Sequence, residues 1–224
     1  MIISISGLDG AGKSTQIEKL IQRLKDEGLE ARYVWARGGY TPGFEFFKRC
    51  IRFIFKKKLP SPGHSNFRDQ GLKSPIISGV WLFVAILDLL VLWGLYVRIC
   101  SFFNIVVVCD RYIGDTLLDF RKNFPASRFE KSILWRLLEF FSPSPDHSFL
   151  FWIPIDISLQ RSIDKGEPFP DSREVLEWRL GAYMDTSTFP LEDYIRIDGQ
   201  ALIEEIHETV YTEIRHSLRK GSSV

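Results

Sequence analysis

The apolar residues of the chain form short runs that alternate with longer stretches of helical spacing. Residues 2–6 form one short run, which ends at Gly7, and a glycine-rich turn follows it. The next apolar residues recur three or four positions apart, at Ile17, Leu20, Ile21 and Leu24. A short run that ends at glycine is typical of a strand and the wider spacing of a helix. We therefore expect the chain to begin with strand, loop and helix.

Four further apolar runs predict strands, and helical patterns lie between most of them. The strands are expected at 31–35, 105–109, 148–153 and 194–197, and the helices at 129–141, 156–164, 173–183 and 201–218. A helix followed by a loop is expected in the less regular segment 38–75. Alternating strands and helices predict a parallel sheet covered on both faces, and right-handed crossovers lead to a doubly wound α/β fold.

The composition indicates a single soluble globular domain. Of the 224 residues, 45% are hydrophobic and 25% are charged, which is enough for one sizeable core. We expect this domain at 1–219, with a flexible polar tail at 220–224. The formal net charge of +1 argues against a nucleic-acid partner. Three cysteines and an N-terminus without a basic leader pattern predict a reducing, cytoplasmic location.

The first predicted strand leads directly into a phosphate-binding motif. Residues 7–14 read Gly-Leu-Asp-Gly-Ala-Gly-Lys-Ser, a complete match to G-x-x-x-x-G-K-[ST]. Glycines let the backbone curl so that its N–H groups point at phosphate oxygens, and the following helix presents its positive end to them. The lysine of such a loop reaches the β- and γ-phosphates, and the serine binds Mg²⁺. The predicted ATP-binding residues are Gly7, Asp9, Gly10, Ala11, Gly12, Lys13, Ser14 and Thr15.

A second candidate site follows the buried run at 105–109. Asp110 stands at the tip of this predicted strand, where a carboxylate is well placed to hold Mg²⁺ or its waters. Arg111 comes next, and a guanidinium group binds phosphate in a forked geometry. We therefore expect Ser14 and Asp110 as metal ligands and Arg111 on the phosphates. If the protein transfers a phosphoryl group from the bound nucleotide to a hydroxyl group, Asp9 or Asp110 would serve as the base that removes the hydroxyl proton.

These motifs, with basic residues further along the chain, resemble the thymidylate kinase family. The phosphate loop, then Asp-Arg-Tyr at 110–112, then Arg161, Lys165 and Arg173 occur in the order and at the separations typical of that family. The resemblance spans residues 1–215 and is weakest at 40–100. It implies a five-stranded P-loop nucleotide kinase fold. It also implies an ATP- and Mg²⁺-dependent phosphotransferase that converts dTMP to dTDP in nucleotide biosynthesis.

The resemblance also assigns roles to residues. It implies that Asp110, Arg111 and Tyr112 contact the acceptor and the phosphates, and that Asp110 and Arg111 act with Lys13 in catalysis. A mobile basic lid is expected around 158–175.

The lid supplies the remaining catalytic candidates, Arg161 and Arg173, because added positive charge stabilises the transferred phosphoryl group. Lys165 is explained equally well as a solvated helix residue. Family members are often dimers, so a homodimer is a further expectation.

The acceptor site departs from the family pattern. Residues 35–39 read Trp-Ala-Arg-Gly-Gly, where the family has Thr-Arg-Glu-Pro-Gly-Gly, so Arg37 is the expected ligand of the acceptor phosphate. The family's base-reading arginine follows an aspartate, but Leu89 follows Asp88 here. A kinase for a lipid- or sugar-linked acceptor near a membrane therefore stays an alternative. A non-catalytic nucleotide switch is a second one, although the chain lacks the Asn-Lys-x-Asp of guanine-reading switches.

Two segments raise the question of membrane contact. Residues 76–97 carry one formal charge, Asp88, and are long enough to span a bilayer. We expect a buried helix instead, since a single span would separate Lys13 from Asp110 and leave no joint site. Residues 44–58 hold five phenylalanines and six lysines or arginines. This segment would either lie on anionic lipid or cover the acceptor site, and we favour the second.

Overall fold

The computed structural model describes residues 1–35, 75–166, 170–186, 189 and 193–221. Its strands form one five-stranded sheet in the order β2-β3-β1-β4-β5, and every pairing is parallel. The strands are β1 (Ile2–Gly7), β2 (Ala31–Trp35), β3 (Val106–Asp110), β4 (His147–Trp152) and β5 (Ile195–Asp198). The predicted α/β fold with a parallel sheet is confirmed, and β3, β4 and β5 lie one residue away from their expected positions.

Helices connect the strands. They are α1 (Lys13–Asp26), α2 (Pro75–Leu89), α3 (Arg98–Phe102), α4 (Ile113–Asn123), α5 (Ile133–Phe141), α6 (Ile155–Asp164), α7 (Arg173–Met184) and α8 (Ile203–Gly221). A π-helical stretch, Leu90–Val97, joins α2 to α3. The helix expected at 129–141 is divided into a 3₁₀ turn and α5, because Ser132 is extended and its hydroxyl accepts a hydrogen bond from the backbone N–H of Trp135 (3.2 Å). Helix α4 was not predicted.

Contacts group the described residues into two compact units. The first takes in 1–35, 99–118 and the described residues from 144 onwards, and it holds all five strands. The second takes in 75–98 and 119–143. The expectation of one domain at 1–219 stays a prediction.

The sheet of the first unit has two inner strands, β1 and β3, that are buried along their whole length. All six residues of β1 and all five of β3 are buried, as the unbroken run at 105–109 led us to expect. Helix α1 packs on the core through Ile17, Leu20 and Leu24, three of the residues whose spacing predicted it. Truncating one such buried side chain to alanine costs about 2–5 kcal/mol.

Strand register brings the two predicted motifs to one edge of the sheet. Asp110, the last residue of β3, pairs with Ile5 on one side and with Trp35 on the other. Gly7 ends β1 two residues beyond Ile5 and pairs with Phe151 of β4. The phosphate loop and Asp110 therefore leave the sheet at its carboxyl edge, where ligands bind in open α/β sheets.

Helix α2, the π-helical stretch and α3 run on without a break, and their residues 78–102 are long and apolar enough to cross a membrane. Strand β2 precedes this long helix and β3 follows it, and the two strands pair with each other. A crossing by this helix alone would put paired strands on opposite sides of the bilayer, so this sheet is incompatible with it. The prediction of a buried helix holds for one face only. The other face exposes large apolar residues, among them Val80, Phe83, Leu87, Val91 and Leu95.

Candidate functional site

The phosphate loop follows β1 in a tight curl that needs glycine. Gly7 has φ 137°, and a Cβ there would lie 2.0 Å from the backbone oxygen of Phe151. Gly10 has φ 75°, and a Cβ there would lie 3.2 Å from the Cβ of Arg161. The N–H of Ala11 closes the turn on the carbonyl of Leu8 (3.3 Å). The first N–H groups of α1 have no partner within the helix and are thus available to an anion.

Lys13 lies folded over this loop and is almost completely buried. Its Nζ donates hydrogen bonds to the carbonyls of Gly7 (3.1 Å) and Leu8 (2.7 Å), and lies 3.9 Å from Oδ1 of Asp9. Burial lowers the pKa of Lys13 to about 8, and the positive charge of Arg111 adds to the effect. The ammonium group is therefore held in place by two neutral carbonyl oxygens, and its burial disfavours the charged form.

Asp110 is a buried carboxylate with one oxygen unsatisfied. Its Oδ2 accepts a hydrogen bond from the hydroxyl of Tyr33 (3.2 Å). Its Oδ1 is buried and has no hydrogen-bond partner among the described residues. Burial raises the pKa of Asp110, while Lys13 and Arg111 oppose that rise. Such an oxygen suits a metal ion or a water bound to one.

Arg111 turns back from the end of β3 toward the phosphate loop. Its backbone N–H donates to the carbonyl of Ile5 (2.9 Å), and its φ is 72°, which is unusual for a residue other than glycine. Its Nη2 donates to Oδ1 of Asp9 (2.7 Å), and its Nη1 lies 3.5 Å from Oδ1 of Asp115. The structure thus brings Lys13, Asp110 and Arg111 together, as the two motifs led us to expect.

Asp115 joins this site although the sequence did not single it out. It lies in the first turn of α4 with 1% of its surface exposed. It accepts hydrogen bonds from Ser6 Oγ (2.5 Å), from the N–H of Tyr112 (3.2 Å) and from the hydroxyl of Tyr183 (2.5 Å). The available signal was its position four residues after Arg111.

Helix α6 and the turn after β5 hold the phosphate loop from behind. Arg161 Nη1 donates to the carbonyls of Gly10 (3.0 Å) and Gly199 (2.9 Å). Ser158 Oγ donates to the carbonyl of Asp9 (2.6 Å). A Cβ on Gly199 would lie 2.6 Å from the backbone oxygen of Ala11. Ser158 and Gly199 are therefore further residues that shape the loop, and both were missed.

The remaining candidates are placed differently. Arg173, at the start of α7, is half exposed and pairs with Asp156 and, at 3.9 Å, with Glu177. Ser14 and Thr15 are exposed in the first turn of α1. Tyr112 is buried.

Several expectations lie outside the described residues. They concern Arg37, the segment 44–58, residues 167–169 of the lid and residues 222–224 of the tail.

The known proteins to which this chain is similar include several thymidylate kinases. No protein-family model matches it. A probable thymidylate kinase of Pyrococcus abyssi is 22% identical over 222 residues, which is 96% of each chain. The thymidylate kinase of Plasmodium falciparum is 26% identical over 218 residues, 95% of this chain and 88% of that protein. One from Chlorobium luteolum is 54% identical over 39 residues, 17% of this chain and 18% of that protein. Together with the parallel sheet and the complete phosphate loop, this similarity over almost the whole chain supports the thymidylate kinase family.

Proposed function

We propose that the protein is an ATP-dependent nucleoside monophosphate kinase that transfers the γ-phosphate of ATP to dTMP, giving dTDP and ADP. One observation carries the proposal. A complete phosphate loop with its lysine meets the Asp110–Arg111 pair at the carboxyl edge of the sheet, in a chain similar to thymidylate kinases along its whole length. Thymidylate kinase is the activity named for those relatives.

ATP would bind on the phosphate loop, with Lys13 on the β- and γ-phosphates. The carbonyls that now hold the ammonium group of Lys13 are weaker partners than phosphate oxygens, because a phosphate oxygen adds the attraction of a full negative charge to the hydrogen bond. Phosphate would therefore displace them. The lowered pKa of Lys13 supports this role, since the buried ammonium gains most from an anionic ligand.

Mg²⁺ would be held by the hydroxyl of Ser14 and by Asp110. These donors suit the ion, since Mg²⁺ prefers oxygen and takes one or two protein ligands besides phosphates and waters. The unsatisfied Oδ1 of Asp110 supports the assignment. When bound, Mg²⁺ would neutralise charge on the phosphate oxygens.

The acceptor needs positioning more than it needs a base. The second pKa of a phosphate monoester is near 6, so the attacking oxygen is already ionised at pH 7. The main obstacle is repulsion between two polyanions, which Arg111 would offset by exchanging Asp9 for a phosphate oxygen. Arg37 and the predicted lid residue Arg173 would add positive charge. The contacts of Arg161 with Gly10 and Gly199 favour a role in holding the loop.

The decisive test is turnover of a panel of nucleoside monophosphates with ATP and Mg²⁺, with Lys13→Ala measured beside the wild type. Formation of dTDP that depends on Lys13 would support the proposal. If ATP binds but no monophosphate is converted, the proposed acceptor class is wrong.

We also propose a cytoplasmic location and a contact that covers the exposed apolar face of α2. A second copy of the chain and a membrane surface would each bury Val80, Phe83 and Leu87. Sedimentation with and without anionic liposomes separates the two. A dimer forms in solution without lipid, whereas membrane contact appears as co-sedimentation with the liposomes.

A further inference from the structure

The most completely buried acidic group at the site is Asp115, and its contacts connect three separate elements. Ser6 reaches it from β1, the N–H of Tyr112 from the turn after β3, and Tyr183 from α7. Nη1 of Arg111 lies 3.5 Å from Oδ1 of Asp115, the same oxygen that accepts the hydrogen bond from Tyr183. A carboxylate that accepts several hydrogen bonds in a dry site is a rigid anchor.

Aromatic packing keeps this anchor dry. Phe189 is buried and packs edge-on against Tyr183, with ring centroids 4.9 Å apart. Gly114 precedes Asp115, and a Cβ at that position would lie 2.7 Å from the Phe189 ring. Burial and the negative charge of Asp115 raise the pKa of Tyr183, so its hydroxyl keeps its proton and donates.

We infer that Asp115 is a positioning residue that holds the guanidinium of Arg111 in place for phosphate and ties it to α7 through Tyr183. Arg111 has a carboxylate on either side, Asp9 from the loop and Asp115 from α4. Asp9 is partly exposed, so phosphate can displace it, whereas Asp115 is sealed in and stays. The catalytic part of this inference rests on the proposed kinase function.

Asp115→Asn tests the inference selectively. The side-chain oxygen of asparagine can still accept from Ser6 and Tyr112, and its amide can donate to Tyr183, because a hydroxyl also accepts. What is lost is the negative charge beside Arg111. Thr116→Val is a matched control. Thr116 is the next residue on α4 and equally buried, and its hydroxyl has no hydrogen-bond partner among the described residues.

The first readout is the guanidinium NMR signal of Arg111, assigned by its loss in Arg111→Lys. This readout needs no turnover, so it stands even if the proposed kinase function fails. A slowly exchanging signal is expected in the wild type and in Thr116→Val, and faster exchange in Asp115→Asn. An unchanged signal in Asp115→Asn would overturn the inference.

The second readout is kinetic. In Asp115→Asn we expect kcat to fall roughly ten- to hundred-fold with little change in the KM for ATP, since a misplaced group costs about that much. In an Arg111→Ala background the same substitution should have almost no effect, because there is no guanidinium left to position. Tyr183→Phe should lower kcat less, as it removes only the link to α7. An equal loss from Asp115→Asn in both backgrounds would indicate a general structural role and refute the inference.

Discussion

Lys13 makes the affinity for nucleotide depend on pH in a way that the structure specifies. Its pKa is lowered from 10.5 to about 8, first by burial and then by Arg111. Bound phosphates would raise that pKa again, because opposite charge favours the ammonium form. Nucleotide binding above pH 8 must therefore take up a proton.

The size of the effect follows from the fraction of Lys13 that is protonated in the free protein. With a pKa of about 8, that fraction is about 0.9 at pH 7 and about 0.09 at pH 9. The Kd for ATP should therefore rise about tenfold between these pH values. The nucleotide phosphates themselves contribute little above pH 7, because their last pKa lies near 6.

Isothermal titration of ATP at several pH values measures this directly, and proton uptake shows as a dependence of the heat on the buffer. Lys13→Arg is the matched control, since arginine keeps its charge throughout this range. Weaker but pH-independent binding is expected from that variant. The reasoning would be refuted if the wild-type Kd for ATP stayed constant up to pH 9, or if the Kd of Lys13→Arg rose with pH as much as that of the wild type.

Three other substitutions test the supporting structure. Burial raises the pKa of Asp88 from 3.8 to about 6, so the folded state favours the protonated form, and wild-type stability is lost as pH rises from 4 through 6. The free energy of unfolding of Asp88→Asn should therefore rise relative to the wild type over that window by at most about 3 kcal/mol, as measured by urea unfolding at pH 4 and 7.5. Gly199→Ala should weaken ATP binding at least several-fold, because its Cβ would press on the backbone oxygen of Ala11; unchanged affinity would show that the turn yields instead. Arg161→Ala should speed amide hydrogen exchange in the phosphate loop, since two carbonyl contacts are lost, whereas a loss of turnover with unaltered exchange would point to direct action on the phosphates.

The elements predicted most accurately are those with an unbroken local pattern. The strand at 31–35 has the expected bounds, and α6 and α7 begin within one residue of expectation. The shift of β3 to include Asp110 has a tertiary cause, because Asp110 pairs with Ile5 and Trp35 on neighbouring strands. Helix α4 was missed because Gly114 lies in its first turn, and glycine weakens the local helical pattern.

The sequence by itself determined the class of fold, the phosphate loop and the Asp110–Arg111 pair. Periodicity and short motifs are local patterns, and they indicate the secondary structure of the segment that contains them. Only the tertiary structure decided what surrounds Arg111. Asp115 meets Ser6 across 109 positions of the chain and Tyr183 across 68. Such contacts depend on the order of the strands and on how α7 packs over them, and residues this far apart share no local pattern from which the contact can be read.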